Sequence, residues 1–173
     1  AIKECMMHEN LFGVLVSHGS STVPGYIVEE INALGGNIQN AHGISIEELK
    51  AAIPCGIGKI NVDTDIRLAV TRNMKEYFAQ HPEKRNSPSI GGVYQLLEEK
   101  REQFDPRAFL PPIMDTVMYG MVPDKDRAEL VEVIEKGVKE AIGTLIVEFG
   151  SYGKAPLVEQ VSLEEMAERY KRM

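Results

Sequence analysis

Two short apolar runs, at 13–17 and 58–62, constrain the fold of this chain more than any other feature of its sequence. Both runs are nearly continuous in apolar residues instead of alternating, which is typical of strands buried in a parallel sheet. Two parallel strands cannot form a covered sheet by themselves. The sequence therefore predicts an α/β chain that supplies only part of a larger parallel sheet.

Helical spacing of apolar residues accounts for most of the remaining chain. Ser45 followed by Glu48 forms a capping-box pattern, and Asp105 followed by Pro106 predicts the start of a further helix. The predicted helices cover residues 24–34, 45–53, 66–78, 91–102, 124–149 and a short final segment after Ser162. The order of strand, helices, strand and helices is that of an α/β fold.

Composition and charge exclude several classes of function. Asp and Glu number 26 against 19 Lys and Arg, which gives the 173-residue chain a net charge of −7. A net-negative chain is not expected to bind nucleic acid or anionic membranes. No apolar run approaches the roughly 20 residues that span a bilayer, and the first ten residues lack a signal-peptide pattern. Cys5 and Cys55 form no CxxC motif and indicate free thiols, so a cytoplasmic protein is expected.

Small polar residues follow both predicted strands directly, as SHGSS at 17–21 and NVDTD at 61–65. Ligands of α/β enzymes bind beyond the carboxyl ends of parallel strands, where backbone N–H groups and hydroxyls can hold a phosphate. Ordinary strand-to-helix turns with capping residues have the same composition. The spacing alone leaves both interpretations open.

Four blocks in a fixed order carry a family resemblance: HGSSTVP, GGNIQNAHGIS, GIGKINVDTDIRLA and FDPRAFL. Together they resemble the C-terminal portion of a class II, zinc-dependent fructose-bisphosphate aldolase, over residues 10 to about 115. The tail FGSYGKAPLVEQVSLEEMAERY is similar to the tail of the longer-chain branch of that family. One mild departure is Thr22, which stands where the family usually has serine.

The resemblance implies a fold and a reaction. The fold is the C-terminal part of a (β/α)₈ TIM barrel, comprising the last two strands and the C-terminal helices. Residues 1–115 would form the βα units of the barrel, and residues 116–173 would form a C-terminal helical extension. The reaction is the reversible, metal-dependent aldol cleavage of fructose 1,6-bisphosphate to dihydroxyacetone phosphate and glyceraldehyde 3-phosphate, a step of glycolysis and gluconeogenesis.

The resemblance also implies roles for individual residues. His18 matches a ligand of Zn²⁺, the expected cofactor, and Asn61 matches a catalytic residue that contacts the hydroxyl and carbonyl end of the substrate. Arg107 matches the arginine that grips the second phosphate and commonly reaches a neighbouring subunit, which implies a homodimer or homotetramer. The implied phosphate-binding set is Gly19, Ser20, Ser21, Asn61, Asp63 (through its backbone N–H), Thr64 and Arg107.

The family's other zinc ligands and its acid/base carboxylates lie in the first six βα units, which this chain is expected to lack. A missing N-terminal barrel half is therefore an expected partner, together with a sugar bisphosphate substrate. Two alternatives stay open. One is an aldolase acting on tagatose 1,6-bisphosphate. This sugar differs from fructose 1,6-bisphosphate in the stereochemistry of one carbon, and no residue of this chain indicates which of the two is bound. The other is a half-barrel fragment without activity of its own.

Overall fold

The computed structural model describes residues 4, 8, 13–158 and 160–172, and Cys5 lies outside them. Strands β1 (Leu15–Ser17) and β2 (Ile57–Ile60) form a parallel two-stranded sheet. The α-helices are α1 (Gly25–Ala33), α2 (Ile46–Ala52), α3 (Thr64–Gln80), α4 (Gly91–Glu99), α5 (Met114–Tyr119), α6 (Lys125–Glu148) and α7 (Leu163–Lys171). Short 3₁₀ helices cover Ile53–Cys55, Pro82–Asn86, Pro106–Ala108, Pro111–Ile113 and Ala155–Leu157. The predicted α/β character is confirmed.

The two strands pair in parallel, as their apolar sequences predict. Ser17 lies beside Ile60, and an irregularity separates the Leu15 and Val16 pairs. The backbone N–H of Asn61 donates to the carbonyl oxygen of Ser17 at 3.0 Å, which continues the pairing one residue beyond β2. The segments that follow β1 and β2 therefore leave the sheet at the same edge.

The main hydrophobic core lies where α3 packs on α4 and α6. Its buried residues are Val70, Met74, Tyr77, Phe78, Ile90, Val93, Leu97, Phe109, Leu110, Ile113 and Leu130. A second cluster joins α1 to α3 through Ile27, Ile31, Ile38, Leu68 and Ala69. Gly137 lets α6 approach α3 closely, because a Cβ there would lie 2.8 Å from the Cα of Val70. Helix α6, which lies in the predicted C-terminal extension, therefore packs directly on α3.

Helix starts follow the capping signals in the sequence. The Ser45 hydroxyl accepts from the backbone N–H of Glu48, whose carboxylate accepts in return from the N–H of Ser45, so the capping box of α2 is confirmed. Asp105 accepts from the N–H of Arg107 at 3.0 Å, yet it begins only a 3₁₀ turn. The predicted helix at this point is wrong because Pro111 and Pro112 cannot continue the hydrogen-bond ladder.

In the parts of the chain that the structure describes, none of the helices combines the length and the apolar character needed to cross a bilayer.

Candidate active site

An open cavity of about 590 Å³ lies at the edge of the sheet where both strands end. Its walls are formed by His18, Gly19, Ser21, Ile60, Asn61, Val62, Asp63 and Thr64. The structure thus brings together most of the residues predicted from the two strand ends. Parallel pairing of β1 with β2 is the reason, since it places both carboxyl ends side by side.

His18 and Asn61 contact each other across the mouth of this cavity. The Nδ2 atom of Asn61 lies 2.9 Å from Nδ1 of His18. An amide N–H donated to Nδ1 uses the only lone pair of a neutral ring and leaves none for a metal. The amide turned by 180° would instead accept from Nδ1–H through its oxygen and leave the lone pair of Nε2 free. The side chain of Asn61 therefore orients the imidazole, a contact that the sequence does not reveal.

The imidazole of His18 suits a divalent metal ion, because a neutral ring at a strand end is a rigidly aimed ligand. A catalytic zinc site usually takes three protein ligands. No three His, Cys, Asp or Glu side chains form a group that could hold a metal within residues 13–158 and 160–172 or at positions 4 and 8. His18 fits as one ligand, and the described residues do not complete the set.

Ser21 ties the end of β1 to the start of α3. Its hydroxyl oxygen accepts from the backbone N–H groups of Asp63, at 3.2 Å, and Thr64, at 3.0 Å. Both lone pairs of the oxygen are then used, and its own hydrogen remains to be donated. The N–H of Asp63, expected to bind phosphate directly, is directed at Ser21 instead, so Ser21 presents the donor at this point.

Gly19 and Ser20 differ in what they offer a ligand. Gly19 has a φ of +66°, a conformation that favours glycine, and the space beside its Cα is open. Ser20 is fully buried, and its hydroxyl forms a hydrogen bond with the hydroxyl of Ser17. The side chain of Ser20 is turned away from the cavity, which leaves only its backbone for the predicted phosphate contact.

Asp65 is a structural residue of the site that sequence reasoning missed. Its carboxylate is 4% exposed and accepts the N–H of Thr22 at 3.1 Å, the hydroxyl of Thr22 at 2.8 Å and the N–H of Val23 at 2.8 Å. Val23 has a φ of +49°, which is unfavourable for a β-branched residue. Asp65 therefore stabilises the backbone of Thr22 and Val23, which follow the cavity, including the unfavourable positive φ of Val23.

Replacing Asp65 with alanine is expected to lower the free energy of unfolding by about 2–4 kcal/mol, because two backbone N–H groups and a hydroxyl lose a charged acceptor. Chemical denaturation measures the change. Glu47, an exposed acid in the first turn of α2, is the matched control, and its alanine variant should change stability by less than about 0.5 kcal/mol. Equal losses for the two variants would contradict the role given to Asp65.

The loop at 42–44 supports the site from outside. The N–H of Ile44 donates to the carbonyl oxygen of Ser21 at 3.1 Å. A Cβ at Gly43 would overlap that same oxygen and the backbone of Thr22. Only glycine permits this close approach, so the loop holds the backbone of the strand-end segment in place.

Arg107 lies outside the residues that line the cavity. Its side chain is 71% exposed, and its Nε lies 3.0 Å from both carboxylate oxygens of Asp105. The hydrogen bond from Arg107 lowers the pKa of the Asp105 carboxyl, which the backbone N–H of Arg107 and the charge of Arg67 lower further against the opposing effect of burial. The structure therefore orients Arg107 through an ionised Asp105.

Arg67 neutralises the acid nearest the phosphate-binding candidates. Its Nε donates to one Asp63 oxygen at 2.9 Å, and a second N–H donates to the other oxygen. Its Nη1 donates to Asp105 at 2.7 Å. An unpaired, anionic Asp63 would repel a phosphate bound beside it. The ion pair with Arg67 offsets this negative charge.

The paired parallel strands and their helices make this an α/β protein. Polar side chains and a helix start lie at the carboxyl ends of the strands, where ligands of α/β enzymes bind. Residues 2–154 match the family described as fructose-bisphosphate aldolase class-II. The chain belongs to the class II fructose-bisphosphate aldolase family, a family of lyases, which confirms the resemblance seen in the sequence.

Curated relatives carry the same family name. The fructose-bisphosphate aldolase of Xanthobacter flavus is 33% identical over 156 residues, which are 90% of this chain and 33% of the relative. That of Giardia intestinalis is 34% identical over 172 residues, 99% of this chain and 41% of the relative. That of Thermus caldophilus is 40% identical over 103 residues, which are 60% of this chain and 28% of the relative. The chain spans about a third of the length of the first curated relatives it matches.

Proposed function

We propose that this chain supplies the last two strands and the C-terminal helices of a (β/α)₈ barrel that cleaves fructose 1,6-bisphosphate reversibly into dihydroxyacetone phosphate and glyceraldehyde 3-phosphate. The observation that carries the proposal is the meeting of His18, Ser21 and Asn61 at one cavity beyond the carboxyl ends of β1 and β2. Active sites of such barrels lie at that end of the strands. The enzyme would act in the cytoplasm, in glycolysis and gluconeogenesis.

The phosphate of dihydroxyacetone phosphate would bind at the start of α3. The positive end of this 17-residue helix favours an anion there. The hydroxyl hydrogen of Ser21, the backbone of Gly19 and the hydroxyl of Thr64 add donors without adding charge. Ser21 is the central donor, because its oxygen already bonds to the first N–H groups of the helix.

His18 would be one ligand of a divalent metal ion, which we infer to be Zn²⁺. When bound, this metal supplies electrophilic polarisation of the ketone of the substrate. For His18 to bind the metal through Nε2, the Asn61 amide would turn its oxygen to Nδ1–H of the ring. An N–H of the same amide would donate to the hydroxyl and carbonyl end of the substrate, so Asn61 would hold both the imidazole and the substrate in position.

The remaining metal ligands and strands would come from an N-terminal barrel half. Two observations support this partner: no three His, Cys, Asp or Glu side chains of the described residues form a group that could hold a metal, and the sheet of these residues has two strands. A homodimer or homotetramer is the proposed assembly. The guanidinium of Arg107 is exposed and lies outside its own cavity, so it is available to a neighbouring subunit's site.

Arg107→Ala is expected to lower kcat/KM for fructose 1,6-bisphosphate. The loss should correspond to about 2–4 kcal/mol of transition-state stabilisation, the order expected when a charged hydrogen-bond partner is lost. Binding of dihydroxyacetone phosphate alone should change little, since Arg107 would hold only the second phosphate. Steady-state kinetics and calorimetric titration measure the two effects. Arg101→Ala, which removes an exposed arginine paired with Glu98, should leave both values unchanged. Equal losses for both ligands would indicate a structural role for Arg107.

A non-catalytic half-barrel fragment is the second candidate function for the chain on its own. It is favoured because the described residues contain no group of three His, Cys, Asp or Glu side chains that could hold a metal. Tagatose 1,6-bisphosphate would fit the same phosphate-binding groups, so cleavage of the two bisphosphates should be compared directly. Zinc content and cleavage measured with and without an N-terminal barrel half separate the fragment from the enzyme.

A further inference from the structure

A second cavity lies between two helices, away from the strand ends. It is an open groove of about 450 Å³ between α3 and α6, called the α3–α6 groove, and its walls include Asn73, Glu76, Tyr77, Glu129, Glu132 and Val133. Roughly 14 Å separates Thr64 from Asn73 along the axis of α3, at about 1.5 Å per residue. The groove is therefore separate from the cavity proposed to bind the phosphate.

Carboxylates predominate among the charged groups of the wall. Glu76 comes from α3, and Glu129 and Glu132 come from α6. Glu132 is exposed and has no ion pair or hydrogen bond with any other residue that the structure describes. Lys136 also lines the groove, but its Nζ lies 3.8 Å from Glu140, outside the wall. The wall therefore carries an excess of negative charge and attracts cations.

Glu76 and Glu129 are already partly paired. Glu129 has as partners Tyr77, Lys84 and Lys125, and Glu76 has Gln80 and Arg72. A carboxylate offers about four lone-pair sites, so each can accept a further N–H.

Asn73 adds an acceptor that lacks a donor. It is 3% exposed, and its Nδ2 donates to Oε2 of Glu140 at 3.2 Å. A 180° turn of the amide would direct its oxygen at that carboxylate, so Glu140 fixes the orientation of the amide. The buried Oδ1 atom then has no hydrogen-bond partner in the described part of the chain. A buried acceptor without a donor is unfavourable, which favours a ligand N–H on this side of the groove.

The acceptors form two pairs, one on each helix. Asn73 and Glu76 are three residues apart on α3 and share a face, as do Glu129 and Glu132 on α6. Among the described residues, no three His, Cys, Asp or Glu side chains converge as a metal ion requires. A linear cation with an ammonium group at each end can reach both pairs. Its methylene groups can pack on Val133 between them.

We propose that the α3–α6 groove binds a linear aliphatic diammonium ion, with one ammonium on the Asn73 and Glu76 pair and the other on the Glu129 and Glu132 pair. An ammonium group has three N–H donors and no acceptor, which matches a wall of acceptors. Two positive charges offset the three carboxylates and one lysine of the wall. The bound ion would join α3 to α6 and stabilise the folded chain.

Calorimetric titration with 1,4-diaminobutane tests this inference. The test uses the chain together with an N-terminal barrel half, at about 0.15 M salt so that diffuse charge attraction is screened. The diamine should bind saturably at one site per chain and raise the melting temperature. Butylamine, which has the same carbon chain and one ammonium, should bind at least about tenfold more weakly, because it reaches only one of the two pairs. Absence of saturable binding, or equal affinity for the two amines, would overturn the inference.

Glu132→Gln keeps the size of the side chain and removes its charge. This variant should bind 1,4-diaminobutane about tenfold more weakly, since a charge-assisted hydrogen bond is lost. Its melting temperature without ligand should not fall, because Glu132 has no partner among the described residues. Glu102, an exposed acid outside the groove, is the matched control, and Glu102→Gln should leave the affinity unchanged. Equal weakening in both variants, or full displacement of the diamine by an equal concentration of Mg²⁺, would show attraction to net charge alone and would overturn the inference.

Discussion

His18→Ala is expected to remove most of the bound metal and nearly all aldol cleavage from the complete enzyme. A catalytic zinc site holds its ion with about three protein ligands, so losing one should weaken binding by more than the roughly 10–100-fold typical of outer partners. The Asn61 amide also lies 2.9 Å from the ring of His18 and orients this proposed ligand at the strand end. Elemental analysis of the purified variant measures the metal independently of activity.

His42 is the control for this variant. It precedes Gly43 in the loop that packs on Ser21 and Thr22, and its side chain is exposed. His42→Ala should retain its metal and most of its activity. Full metal occupancy in His18→Ala would contradict the proposed ligand, whatever the activity of that variant.

The fold could be predicted from the sequence wherever local signals decide the structure. Continuous apolar runs identified both strands, and side-chain caps such as Ser45 and Asp124 marked where helices begin. The short helix α5 and the 3₁₀ turns were missed, because proline pairs and short segments carry weak periodicity. The turn at Asp105 shows the limit: the cap formed, but the prolines after it ended the helix.

In the candidate site, too, residues with local sequence signals could be predicted and residues with distant partners could not. Residues directly after each strand were predictable, because pairing of the strands carries their ends to one edge. Asp65 and Arg67 were not, since their partners Thr22 and Asp105 lie 43 and 38 residues away in the chain. The burial of the Ser20 hydroxyl could not be predicted either. The segment also contains Ser17 and Ser21, and the sequence does not indicate which of the three serines is buried.

The chain without an N-terminal barrel half is expected to self-associate and to show no metal-dependent cleavage. In the structure β1 and β2 pair only with each other among the described residues, so each strand has an open edge. Val14 is 70% exposed and Val16 is 46% exposed. Open edges beside exposed valines favour pairing with another chain. Light scattering and size-exclusion chromatography of the purified 173-residue chain test this expectation.

The energetic reason lies in the interior of the proposed barrel, because barrel interiors are normally filled by side chains from all strands in layers. Ile60 and Val62 are only partly buried here, and Val14 and Val16 are exposed. Each uncovered side chain forgoes on the order of 1.5–3 kcal/mol, so the four together forgo an amount comparable to the whole stability of a domain. Adding the N-terminal half, covalently or as a second chain, should restore both solubility and cleavage. A monodisperse, active and metal-loaded preparation with an intact mass of 19.2 kDa would contradict the barrel assignment itself. Such a preparation would show that the chain needs neither further metal ligands beside His18 nor further strands beside β1 and β2.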